Sequence, residues 1–194
     1  MSIRIFVWGV IMMLSTTIAS VETVKAAEKT KGEPLVLSFS QERDLDDWQV
    51  INDGVMGGLS LGEIRVENHN FIFYGRVSTE NNGGFTSVYR PLVKMPEDFK
   101  SVKITVEGDG KPYQLRIRSN LTGYNVAYKT TFATKANTLQ TLSFNLADFK
   151  ASFRGRVVSG APVLTADTIS HVGYLIAAKQ GGRFSLSTSS IEFF

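Results

Sequence analysis

The chain has 194 residues with 21 Lys and Arg against 18 Asp and Glu, a net charge of +3, and 43% hydrophobic residues. That is enough for one domain with its own core. The positive excess is too small to imply a nucleic-acid partner, and no Lys/Arg cluster falls on a helical stripe. The absence of cysteine excludes disulfides, thiol catalysis, thiolate zinc sites and a lipidated N-terminal cysteine.

From the N-terminus, Arg4 and the free amine precede an apolar run, Ile5 to Leu14, broken only by Gly9. Small and polar residues follow, with Ala19, Ala26 and Ala27 as cleavage candidates. Residues 1–27 therefore read as a secretory signal. The run is shorter than the roughly 20 residues a membrane span requires. The expectation is a periplasmic or secreted protein with no stable membrane insertion after cleavage. An uncleaved N-terminal anchor is the alternative. Residues 28–34 read as a polar linker and residues 35–194 as the folded domain.

Two glycine-rich turns come next, Asn52-Asp53-Gly54-Val55-Met56-Gly57-Gly58 and Asn81-Asn82-Gly83-Gly84. Such clusters mark backbone that must bend where side chains would clash, so Gly57, Gly58, Gly83 and Gly84 are expected to be structural. Beyond them, period-2 alternation recurs. Val102, Ile104 and Val106 alternate with polar residues, as do Tyr113, Leu115 and Ile117, then Tyr124 to Phe132, and then Leu142, Phe144 and Leu146. Val172 to Ile176 and Phe184 to Phe194 are further runs. Many short strands between turns predict a β-sandwich or barrel. No helix longer than a turn or two is expected, with 147–150 as one candidate turn. Residues 147–165 read as the longest irregular region. If Leu115 and Ile117 point inward, Arg116 and Arg118 point outward together, with Lys103 and Lys129 of the same parity. This makes either a solvated face or a basic, hydrogen-bonding surface near Gln114.

The chemistry-bearing motifs are sparse. Gly58-Leu59-Ser60-Leu61-Gly62 fits a nucleophile elbow, but a β-like run follows where a helix is required. His69 and His171 are the only histidines and form no metal signature. Asp53, Glu80 and Asp109 could act as paired carboxylates, and Asp53 and Asp109 as calcium ligands. Turn formation by Asp is the plainer role. No cofactor motif occurs, and no catalytic or metal residue is assigned. Binding candidates are Asp53 and Asn82 in the glycine turns and Arg116 and Arg118 on the sheet face. Arg offers a planar fork for carboxylates, phosphates and sugar hydroxyls.

Trp48, the block Asn52 to Gly58, and Ser60 resemble the opening signature of the NADH:ubiquinone oxidoreductase complex I intermediate-associated protein 30 family. Gly75 with Asn82-Gly83-Gly84-Phe85, and Gly108-Asp109-Gly110 with Tyr113 and Arg116, resemble its next two blocks. Phe149, Phe153-Arg154-Gly155, Gly173, Gly182, Phe184 and Leu186 resemble its C-terminal part. The resemblance implies an all-β, galactose-binding-like jelly-roll sandwich and a non-catalytic role, in mitochondria that of a complex I assembly factor.

The secretory reading points away from the matrix side, where that assembly takes place. Three functions follow. The first is a non-enzymatic binding or assembly module of the cell envelope with a protein or glycan partner. The second is an assembly factor for respiratory complex I. The third is a hydrolase that uses the glycine-loop region.

Overall fold

The computed structural model describes residues 32–121, 126–177 and 181–194, without the side chains of Val55, Met56 and Asn82. The expected signal segment and Tyr124 lie outside the described residues. Among the described residues thirteen strands run in chain order: β1 (Leu35–Ser38), β2 (Gln49–Asn52), β3 (Leu61–Glu67), β4 (Asn70–Val77), β5 (Phe85–Pro91), β6 (Ser101–Gly108), β7 (Pro112–Ser119), β8 (Ala127–Ala133), β9 (Leu139–Asn145), β10 (Lys150–Phe153), β11 (Arg156–Val157), β12 (Ile169–Ala177) and β13 (Gly182–Phe193). The helical residues described are short 3-10 turns, such as Glu42–Leu45 and Leu146–Asp148. Among the described residues no helix is long and apolar enough to cross a membrane.

The strands form two antiparallel sheets. One is six-stranded, in the order β3-β4-β13-β6-β9, with β1 also paired to β13. Its long strand β13 meets β4 along its first half and β1 along its second. The other is seven-stranded, in the order β11-β10-β8-β7-β12-β5-β2. The alternation read from sequence is the alternation of faces. Val102, Ile104, Val106, Phe184, Leu186 and Ile191 of the first sheet are buried, as are Tyr113, Leu115, Ile117, Val172, Tyr174 and Ile176 of the second. The two inner faces make a single core. Tyr113 and Phe184 meet edge-on at 6.5 Å, and Thr188 Oγ1 bonds to Tyr174 Oη at 3.3 Å. Trp48 stacks on Phe71 at 4.2 Å between ring centroids, which makes it a core aromatic.

Two expectations are corrected. Residues 147–165 are not wholly irregular, because β10 and β11 form a hairpin there. It turns at Arg154 and Gly155, with φ of 46° and 82°, and strands of four and two residues are too short to show a period. Lys103 does not share a face with Arg116. It lies on β6 in the other sheet, paired with Glu192 at 2.8 Å. Parity assigns a residue to a face of its own strand, but not to a sheet.

Candidate functional site

The two glycine turns converge on one carboxylate. Asp53 is fully buried. Its Oδ1 accepts the backbone N–H of Ser60 at 3.0 Å. Its Oδ2 accepts the Ser60 hydroxyl at 2.6 Å and the backbone N–H groups of Gly84 at 2.5 Å and Phe85 at 3.1 Å. Burial alone would raise its pKa, but the Ser60 hydroxyl and these N–H groups hold it below the ordinary value. The glycines make this packing possible. A Cβ on Gly58 would stand 2.3 Å from the Asp53 carboxyl carbon, and one on Gly83 2.7 Å from its Oδ2. Gly57 and Gly84 have φ of 83° and 141°, the conformation expected of structural glycines. Asn52 works in parallel. Its Oδ1 accepts from Gly62 N–H at 2.9 Å and Thr86 Oγ1 at 2.6 Å, which ties β3 of one sheet to β5 of the other.

Asp53, a binding candidate by sequence, thus has no exposed surface and four internal donors. The side chain of Asn82 lies outside the described residues. Ser60 Oγ donates to Asp53 and accepts from Ser78 N–H at 3.0 Å, with no histidine among these partners. Asp109 is similarly engaged. It accepts Tyr113 Oη at 3.0 Å, Lys111 Nζ at 3.1 Å and Ser185 N–H at 3.2 Å. Among the described residues no group of three His, Asp or Glu is placed to hold a metal ion.

Arg116 and Arg118 do share the outer face of the seven-stranded sheet, as alternation predicted. The cross-strand row through Arg116 reads Lys150, Lys129, Arg116, Gly173, Tyr89, Gln49. Gly173 leaves bare backbone between β7 and β5, so Arg116 reaches across it. Its Nε donates to Tyr89 Oη at 3.3 Å, and its Nη1 to Gln114 Oε1 at 3.1 Å and Ser152 Oγ at 3.3 Å. Arg116 is only 9% exposed and Tyr89 5%. Arg118 is half-buried and lies over the Tyr89 ring, 3.9 Å from its centroid, a cation–π contact. Beside it stands His171. Burial, and then the Arg118 charge, lower the pKa of His171.

The seven strands of this sheet contain no Asp or Glu and carry Arg90, Arg116, Arg118, Lys129, Lys150 and Arg156. Tyr89 and Gly173 shape this face but were missed as site residues. The signal that could have found them is an outward-facing Tyr in one apolar run and a lone glycine in another.

Residues 37–188 match the family model described as Complex I intermediate-associated protein 30. The chain belongs to this family. A curated relative, the mitochondrial Complex I intermediate-associated protein 30 of Mus musculus, is 26% identical, over 82% of this chain and 56% of the relative. The chain therefore spans little more than half of that protein's length. Among solved structures, the family 11 carbohydrate-binding module of Clostridium thermocellum in complex with a β-1,3-1,4-mixed-linked tetrasaccharide is similar. It gives a TM-score of 0.60 at 11% identity, covering 82% of this chain and 95% of that one. A second structure of a family 11 module, from the cellulase Lic26A-Cel5E of the same organism, gives 0.55 at 12% identity, covering 75% and 86%. These likenesses establish the fold, a galactose-binding-like jelly-roll β-sandwich.

Proposed function

We propose that this chain is a non-catalytic assembly module that binds an acidic protein partner on the outer face of its seven-stranded sheet. By family membership, the proposed partner is an intermediate of a respiratory complex I. The observation that carries the reading is the charge of that sheet. Its outward rows carry Arg116, Arg118, Lys129 and Lys150 and no acid, and Arg116 is buried against neutral partners only. A preorganised guanidinium without a counter-charge attracts carboxylates and carbonyls of a docking surface. The apolar run at residues 5–14 supports action after export, in the cell envelope, and the mitochondrial relative supports action in an organelle. The binding face is the same in either compartment.

A glycan partner is disfavoured by one feature. The Tyr89 ring, the aromatic at the centre of the face, is covered by Arg118 and offers no open platform for a sugar.

Tagged protein purified from host membranes at low and high salt, with wild type and R118E compared by mass spectrometry, tests the reading. Complex I subunits should be recovered with wild type at low salt and lost with R118E or high salt. Their absence from the wild-type eluate overturns it. Retardation by mixed-linkage β-glucan in an affinity gel would instead establish the glycan reading.

A further inference from the structure

The six-stranded sheet differs in charge from its partner. Its strands mix Glu63, Glu67, Glu107 and Glu192 with Arg65, Arg76, Lys103 and Arg183. Two of the cations are paired within the sheet, Arg65 with Glu67 at 2.9 Å and Lys103 with Glu192 at 2.8 Å. The other two are not. Arg76 on β4 and Arg183 on β13 are direct cross-strand partners. Both are exposed, and neither guanidinium has an acidic partner among the described residues. Directly opposed side chains on one face stand roughly 4.5–5.5 Å apart at Cβ, where like charges destabilise a sheet.

The pair opens into a cleft of about 650 Å³ that Arg65, Tyr74, Asp109 and Lys111 also line. Lys111 is held in place there. Its Nζ donates to Asp109 Oδ2 at 3.1 Å and to the carbonyl of Arg183. Asp109, the acid in the cleft, is ion-paired with Lys111 at 3.1 Å and not with either arginine. Its oxygens also accept from Tyr113 and Ser185. The result is two guanidinium groups without an acidic partner on neighbouring strands, lining one cleft beside a positioned ammonium.

We propose that this cleft binds a small oxyanion, a phosphate or carboxylate group, gripped by Arg76 and Arg183, with the Lys111 ammonium, held by Asp109 and the Arg183 carbonyl, as a fixed neighbouring N–H donor. Two planar forks match the oxygens of such a group, and the bound anion removes the repulsion that the bare sheet carries. The site lies on the six-stranded sheet and does not depend on the protein-docking face of the other.

Thermal melts in potassium phosphate, in potassium citrate and in KCl at matched ionic strength test this, with wild type, R76Q and R183Q compared and R43Q as an exposed control. Phosphate or citrate should raise the wild-type and R43Q melting temperatures above the KCl value. Both cleft variants should lose that increment. In KCl they should melt about 1–2 °C higher than wild type, because the opposed charges are gone. An increment specific to phosphate identifies a phosphoryl ligand, and one shared with citrate a general oxyanion site. Equal melting in all three salts, or an increment that survives in R76Q and R183Q, overturns the proposal.

Discussion

Asp53 and Gly84 stand 31 residues apart in the chain and are joined by a 2.5 Å hydrogen bond from the Gly84 N–H to Asp53 Oδ2. The bond belongs to a buried knot that also takes in Ser60 and Phe85. The family signature of this chain is therefore largely a folding device. Its acidic residue holds two loops together, and its glycines let backbone approach the carboxylate.

Removing the carboxylate should be costly. D53A leaves buried donors of Ser60, Gly84 and Phe85 without an acceptor, each worth about 1–3 kcal/mol, so a loss of about 3 kcal/mol or more is expected in urea melts. The pH dependence follows from the lowered pKa of Asp53. The folded state binds the proton less readily than the unfolded chain. The stabilisation is complete above the unfolded-chain value of 3.8 and is lost as the pH falls through the lower folded value. D53N should show a weaker decline of stability over that acid range. An unchanged acid profile in D53N would remove Asp53 as the source.

The glycines of the signature should differ sharply from one another. G58A places a Cβ 2.3 Å from the Asp53 carboxyl carbon, and G83A places one 2.8 Å from the Gly58 Cα. Both should destabilise by about 2 kcal/mol or more. At Gly54 a Cβ meets nothing within 4 Å and the φ is not positive, so G54A should be neutral or stabilising by up to about 1 kcal/mol. Melts of the three variants side by side check the order. Equal effects at positions 54 and 58 would contradict the knot.

Much of this was legible in the sequence, for a physical reason. Strands with one buried face repeat every two residues, so Leu115 and Ile117 predicted their own burial and the shared outward face of Arg116 and Arg118. Depth was not legible. Asp-Gly reads as a surface turn whether the carboxylate meets water or a ring of backbone donors. The clue was the excess of glycine around it, at positions 58, 83 and 84. Nor could parity say that Lys103 belongs to the other sheet, since sheet membership depends on long-range pairing. The opposition of Arg76 and Arg183 is likewise a matter of register between strands more than a hundred residues apart.

The two arginines of the seven-stranded sheet should separate into different roles. R116A withdraws a buried guanidinium from Tyr89, Gln114 and Ser152 and should cost about 1–2 kcal/mol. R118A removes a half-exposed cation–π contact and should cost about 1 kcal/mol or less. R118A is therefore the variant in which partner binding can be lost with the fold intact. If R118A unfolds at room temperature, the outer face is a structural layer and its docking role fails.

His171 reports on the same face. Burial is the larger cause of its lowered pKa and the charge of Arg118 the second. In wild type the His171 ring should titrate below its ordinary value of 6.5. R118A should move the midpoint upward but not fully back to 6.5, because the burial remains. The sign for stability follows. A histidine that resists protonation in the folded state leaves the unfolded chain binding more protons as the pH falls below 6.5. Wild type should then lose stability from that value down toward the folded pKa, and H171Q should flatten this segment of the profile. Proton NMR of the two histidine C2–H resonances, assigned with H171Q, gives the midpoints directly. A His171 midpoint unchanged by R118A would mean that Arg118 does not project its charge over this face, which would weaken its candidacy as the anchor for an acidic partner.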